Sequence, residues 1–283
     1  MASCSARHDL GRRRDSQMRF VVCWKWVVAG PDERWAHVSP ADEAALEIAL
    51  ALAGPGDEVV MVSLAPESAE EILRVGLAAG ANRVIRLDAP TGLASSDVAT
   101  ALATAIERNA GGADLVLCGD YSLDRGSGSV PAFLAGELGA AQALGLVEVE
   151  MTERSATRMV VRGLRRLDGG RREVLDVPVP AVLSVEGSVA SLRRAPLAAS
   201  LASKDAAIEV VPGPAIDPLD PLVLPDRPRP RVVPAPVGST LTRVRDLLAI
   251  GGDDETRAEI VTLDPPAAAR RILDQLREWG HVT

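Results

Sequence analysis

Cysteine and histidine are both scarce in this chain. Its three cysteines, Cys4, Cys23 and Cys118, are odd in number and show no CxxC spacing. That pattern offers no metal site and points to a reducing cytoplasm. Cys23 and Cys118 lie in strand-like runs, where thiols are usually small buried hydrophobes. The three histidines, His8, His37 and His281, are far apart, which argues against a catalytic triad or a zinc centre. No apolar run reaches the roughly 18 residues needed to cross a bilayer, so no membrane insertion is expected. The basic N-terminus (Arg7, Arg12, Arg13, Arg14) is not followed by a hydrophobic signal core, so export is not expected. Residues 1–18 read as a loose lead-in. An excess of positive charge is missing too: the net charge of −8 argues against nucleic acid as a partner, which needs basic surface to displace counterions.

What is present is an alternation of strand and helix patterns. A length of 283 residues allows one large α/β domain with appendages or two small domains. Phe20 to Cys23 is a short apolar strand, and Pro40 to Ala53 carries a helical period through Ala45, Ile48, Ala49 and Leu52. Glu58 to Ser63 is a second strand. Ser68 to Ala79 is a helix, with Ser68 and Glu71 spaced as a capping box and Gly80 as the stop. Arg83 to Leu87, Ser95 to Asn109 and Asp114 to Cys118 continue the series. Strands separated by helices in this way imply right-handed crossovers and a parallel, Rossmann-like sheet covered on both faces.

After the Asp114–Cys118 strand comes a small-residue loop, Gly126 to Ser129, and then a helix opening near Val130 and Pro131. Strand, Gly/Ser loop and helix together aim backbone N–H groups and the positive end of a helix dipole at a phosphate. Pro131 suits a first helical turn. A bare structural turn is the alternative.

Past Ala140 the texture changes. Leu146 to Met151, Thr157 to Arg162 and Arg172 to Val177 alternate in polarity, with Gly169-Gly170 as a hairpin turn before the last of them. They read as an antiparallel ribbon added to the sheet. Pro180 to Val185 returns to the main sheet. From Val211 to Pro236 prolines recur too densely for a core element, so an extended arm is expected. Pro266 to Trp279 reads as an amphipathic helix that packs on the chain's own body or on a partner. The boundaries expected are 1–18 for the lead-in, 19–210 for the α/β domain and 211–283 for the arm. The acidic clusters Glu67-Glu70-Glu71 and Asp253-Asp254-Glu255 read as solvated faces.

Several blocks together resemble the small (beta) subunit of electron transfer flavoproteins. Val21 to Val27 is similar to that family's first strand with its lysine, here Lys25. Ser39-Pro40-Ala41-Asp42-Glu43 through Glu47 resembles its Asn-Pro-x-x-Glu-x-x-x-Glu helix start. Ala65-Pro66, Ile72 to Arg74 and Leu77 to Arg83 match a further segment. Asp114 to Leu117, Asp124 and Val179 to Val182 complete the run. The similarity covers about residues 19–205. It implies an adenine nucleotide alpha hydrolase-like fold and a heterodimer with an alpha subunit that contributes most of an FAD. It also implies a structural AMP in this chain, at the carboxyl ends of the parallel strands. By position the nucleotide pocket takes in Cys23, Ser39, Pro40, Ala41, Asp42, Leu64 and the loop from Asp120 to Val130 with its Asp124, Ser127, Gly128 and Ser129. The two serines and nearby N–H groups would hold the phosphate, and Arg125 is the loop's one basic residue. The chain then performs no bond-making chemistry itself. It shuttles electrons from a donor dehydrogenase to an acceptor oxidoreductase. The scarcity of aromatics, 2% of residues, fits a flavin ring lying mainly against the other subunit.

The chain departs from the family at the loop, where Arg125, Gly126, Ser129 and Pro131 replace its usual acidic run, glutamine and glycine. Lys25 either neutralises a phosphate or pairs with Asp42. Trp24 and Trp26 belong either to core or interface packing or to the flavin's surroundings. Val185 to Leu197 resembles the family's partner-recognition loop, with Val189 as the apolar anchor and Arg193 as the surviving arginine. An ordinary strand-to-helix connection is the alternative. An ATP-pyrophosphatase is a rival, but it needs a Ser-Gly-Gly-x-Asp-Ser-type loop where Trp24 to Val27 stand. A nucleotide-sensing stress-protein module explains residues 19–140 and leaves the ribbon and arm idle.

Overall fold

The computed structural model describes residues 17–28, 36–155, 159–215, 238–247 and 261–282. The order begins with β1 (Arg19–Cys23), the short pair β2 (Val27–Val28) and β3 (Ala36–His37), α1 (Pro40–Leu52), β4 (Glu58–Ala65) and α2 (Glu70–Ala79). It continues with β5 (Arg83–Asp88), α3 (Ser95–Arg108), β6 (Leu115–Gly119), α4 (Val130–Leu138) and β7 (Ala141–Arg154). Then come β8 (Met159–Arg166), β9 (Arg172–Pro178), β10 (Ala181–Val185), α5 (Leu197–Ser203) and β11 (Glu209–Pro212). The chain divides into two compact units, residues 1–223 and 224–283, and the second holds α6 (Thr240–Leu247) and α7 (Pro265–Glu278).

The main sheet has nine strands in the order β11-β5-β4-β1-β6-β10-β7-β8-β9. Neighbours from β11 to β7 are parallel, and β7, β8 and β9 pair antiparallel. The central strands are continuous apolar runs because both their faces are covered. Phe20, Val22, Met61, Leu117 and Leu183 share one core with Leu46 of α1 and Leu73 of α2. The alternating residues Val21, Val60, Val116 and Val182 share the other with Leu102 and Ile106 of α3 and Leu134 of α4. Helices therefore lie on both faces, as the alternation predicts. At Gly76 of α2 an added Cβ would lie 2.1 Å from the Met61 sulfur, so a larger residue there would have to push the buried end of Met61 aside.

Local details differ from the expectation. Ser68 sits inside a single 3-10 turn, Glu67–Ala69, and α2 opens after Ala69 with no side-chain cap. The preceding Pro66 and the turn have taken over the helix entry, so the capping box does not form. Strand β7 starts at Ala141 rather than Leu146, because its first residues pair with β10 in the main sheet before it leaves as the ribbon. Val211 and Pro212, expected in the arm, close β11 beside Leu87 and Asp88. The short β2–β3 pair carried no periodic signal. Helix α7 is capped by Asp264, whose carboxylate accepts the Ala267 N–H at 2.9 Å. Most of the lead-in (1–16), the greater part of the proline-rich arm (216–237) and the Asp253–Glu255 cluster lie outside the described residues.

Candidate ligand-binding site

The chain winds from β1 out to β4 and β5, then crosses to β6 and β10 on the other side. The strand order thus reverses between β1 and β6, and the crevice beyond their carboxyl ends is where open α/β sheets take ligands. A cavity of about 310 Å³ lies there. Cys23 and Cys118, in register on β1 and β6, line it together with Leu64, Val98 and Leu102. Its polar lining includes Lys25, Ser122, Asp124, Arg125, Ser127 and Ser129. Pro90 to Leu93, after β5, form a further wall.

Helix α1 ties the strand ends together beneath this cavity. Ser39 caps it, its hydroxyl accepting the Asp42 N–H at 3.0 Å, and Pro40 fills the first turn, where a missing N–H is tolerated. The buried Asp42 carboxylate accepts the Lys25 N–H at 3.3 Å and the Gly119 N–H at 3.2 Å. Trp24 donates its indole N–H to the Asp42 carbonyl at 2.7 Å. The Ser63 hydroxyl donates to the Trp24 carbonyl at 2.9 Å, so β1, β4, β6 and α1 meet in one hydrogen-bonded knot. Burial pushes the Asp42 carboxyl up to about 7, against the lowering effect of these donors. At Gly119 an added Cβ would lie 2.7 Å from an Asp42 carboxylate oxygen and 2.8 Å from its nitrogen. The knot therefore requires glycine. The Cys118 thiol is driven well above its ordinary range by its hydrogen bond with Cys23, by burial and by the nearby Asp42 charge; it stays protonated and inert.

Over the cavity the loop between β6 and α4 is anchored on two sides. The Lys25 ammonium pairs with both Asp124 carboxylate oxygens, at 2.6 and 2.7 Å, and reaches the Ser122 hydroxyl at 3.4 Å. Partial burial opposes ionisation of Asp124, yet donation from Lys25, the Arg125 N–H and Ser122 brings its pKa down to about 2. Arg125 donates from its two terminal nitrogens to the carbonyls of Leu93 and Gly92, each at 2.9 Å. Ser127 and Ser129 hydroxyls lie 2.9 Å apart. Gly128 has φ +58°, and a Cβ there would meet the Asp120 carbonyl at 2.5 Å, so the tight turn that presents both serines depends on glycine.

Of the residues expected in the pocket, Cys23, Asp42, Leu64, Asp124, Ser127, Gly128, Ser129 and Val130 line the cavity together. Ser39, Pro40, Ala41 and Asp120 stand behind it. Pro40 and Ala41 pack where the backbone passes Gly187 and Gly119, and the Asp120 N–H is held by the Val185 carbonyl at 3.0 Å. Lys25 pairs through its ammonium with Asp124, not Asp42, which takes only its backbone N–H. Trp24 and Trp26 are buried in the core and also touch the cavity. Tyr121, Ser122 and Arg125, within the expected loop from Asp120 to Val130, line the cavity as well, whereas the Pro90–Leu93 turn was not expected there. The only signal for Arg125 was its being the sole cation of the loop. Beyond β10, Val189 is half-buried against the core, whereas Leu197 and Leu201 on α5 are 75% and 64% exposed. Arg193 pairs bidentately with Glu47 of α1, at 2.8 to 3.2 Å.

A family model described as the electron transfer flavoprotein domain matches residues 28–216. Protein FixA of Bradyrhizobium diazoefficiens is 31% identical over 177 residues, 60% of this chain and 60% of that protein. An electron transfer flavoprotein subunit beta of Syntrophomonas wolfei is 33% identical over 153 residues, 53% of this chain and 58% of the relative. The protein of the same name from Bradyrhizobium diazoefficiens is 37% identical over 132 residues, 45% of this chain and 52% of the relative. The matched region spans about three fifths or less of the length of these relatives.

Proposed function

The chain belongs to the electron transfer flavoprotein family, and from that premise we propose that it is the small subunit of a heterodimeric electron carrier. It holds an AMP in the cavity at the β1–β6 switch point and shares an FAD with an alpha subunit. Electrons then pass from a donor dehydrogenase to an acceptor oxidoreductase. The observation that carries this reading is the mixed lining of the cavity, which brings thiols and aliphatic side chains together with hydroxyls and two cations among the described residues. Its volume and lining fit a nucleotide, with the base against Leu64, Val98 and Leu102 and the phosphate toward Ser127 and Ser129. The flavin, when bound, supplies the redox chemistry. This chain's residues bind, orient and exclude water. The helix α7 and the arm before it clasp the alpha subunit, and the segment from Val189 to Leu201 meets the donor, with Leu197 and Leu201 as exposed apolar groups. Localisation in the cytoplasm belongs to the same reading.

The test is co-expression with an alpha-like chain, followed by a visible spectrum and mass spectrometry of the nucleotides released on denaturation. A yellow complex that yields FAD and AMP is expected. A colourless, nucleotide-free preparation with every alpha-like partner would overturn the proposal.

A further inference from the structure

Two cations line the cavity, and they are not equivalent. The Lys25 charge is taken up by both oxygens of Asp124. Arg125, the neighbour of Asp124 in the same loop, has no carboxylate on its guanidinium among the described residues. Its partners are two neutral carbonyls, Leu93 and Gly92, both at 2.9 Å. Those two bonds fix the plane of the guanidinium while leaving its remaining N–H groups and its whole charge unspent. It borders the same cavity as Ser127 and Ser129. A fixed, unneutralised guanidinium with free donors matches the geometry of a phosphate better than a mobile ammonium does.

We propose that Arg125 is the residue that makes this site select a phosphorylated nucleotide over the bare nucleoside, acting directly on the phosphate; this rests on the nucleotide reading above. Lys25 and Asp124 then serve to hold the loop, not to bind charge. The carbonyl anchors also fasten the Pro90–Leu93 turn across the cavity, so the same side chain closes the wall and supplies the counter-charge.

The experiment measures binding of AMP and of adenosine by calorimetry to the full chain, stripped of copurified nucleotide, at two ionic strengths. Wild type, Arg125→Gln and Arg125→Lys are compared. One lost hydrogen bond to a charged group predicts an AMP affinity about ten- to hundredfold weaker in Arg125→Gln. Adenosine affinity is expected to stay within about threefold of wild type, since it offers nothing for the guanidinium to bind. Arg125→Lys restores part of the AMP preference, and salt weakens AMP binding more in wild type than in the glutamine variant. Equal losses for AMP and adenosine in both variants would reduce Arg125 to a loop fastener and overturn the proposal, as would unchanged AMP affinity in Arg125→Gln. If wild type binds neither compound, the nucleotide reading falls and this inference falls with it.

Discussion

Asp42 gives the clearest quantitative consequence of the fold. Its carboxyl is buried, and its pKa rises from 3.8 to about 7. Because the folded value lies above the unfolded one, its contribution to stability is fully present below about pH 4 and is lost as the pH rises through 7. Over most of that range the folded chain keeps a proton that the unfolded chain has released, and the slope is about 1.4 kcal/mol per pH unit. Integrated from pH 5 to 8, this amounts to roughly 2.5 kcal/mol of lost stability. For a domain of this size that corresponds to roughly 5–10 °C in melting temperature. Of the other shifted carboxylates, Glu47, Asp57, Glu58 and Asp124 are lowered and remain ionised throughout the window. Asp120 is raised by partial burial and the nearby Glu186 charge and, being common to wild type and an Asp42 variant, cancels in their difference. The Cys118 thiol titrates well above it. Urea unfolding of wild type and Asp42→Asn at pH 5, 6, 7 and 8 isolates the effect, since histidines common to both proteins cancel in the difference. The wild type is expected to lose about 2.5 kcal/mol relative to the variant across the series. Parallel stability profiles would refute the reasoning and mean that water reaches Asp42 freely.

Four further outcomes concern the same knot, helix α4 and the segment beyond β10. Gly119→Ala places a methyl within 2.7 Å of Asp42 and 2.9 Å of the Ala41 Cβ; a loss of about 1–3 kcal/mol is expected in thermal or urea unfolding. In Gly136→Ala, on α4, the new Cβ meets nothing within 4 Å and should gain about 0.5–1 kcal/mol from helix propensity. Val189→Ala removes half-buried core contacts and should lower stability by about 1 kcal/mol. Leu197→Ala, at an exposed position, should leave stability within about 0.5 kcal/mol of wild type while slowing electron uptake from the donor in a stopped-flow assay.

The serine-bearing loop shows how far the local pattern reaches. Ser127, Gly128 and Ser129 are legible from the sequence because glycine beside small hydroxyl residues before a helix has few local conformations. The partner of Arg125 is not legible, for its carbonyls lie more than thirty residues back. Asp42 is legible as part of a helix start, yet its burial beneath Gly119 depends on how α1 meets β6.

By itself, the order of apolar runs and helical periods determined that strands and helices alternate, that both sheet faces are covered, and that a turn of glycines and serines follows β6. These are properties of neighbouring residues, set by backbone sterics and side-chain periodicity. Only the tertiary structure decided that Lys25 answers Asp124, that Arg125 meets two carbonyls and, among the described residues, no carboxylate, and that Leu197 is more exposed than Val189. Each of those depends on the separation of segments distant in sequence, and hydrogen bonds and burial act only at contact.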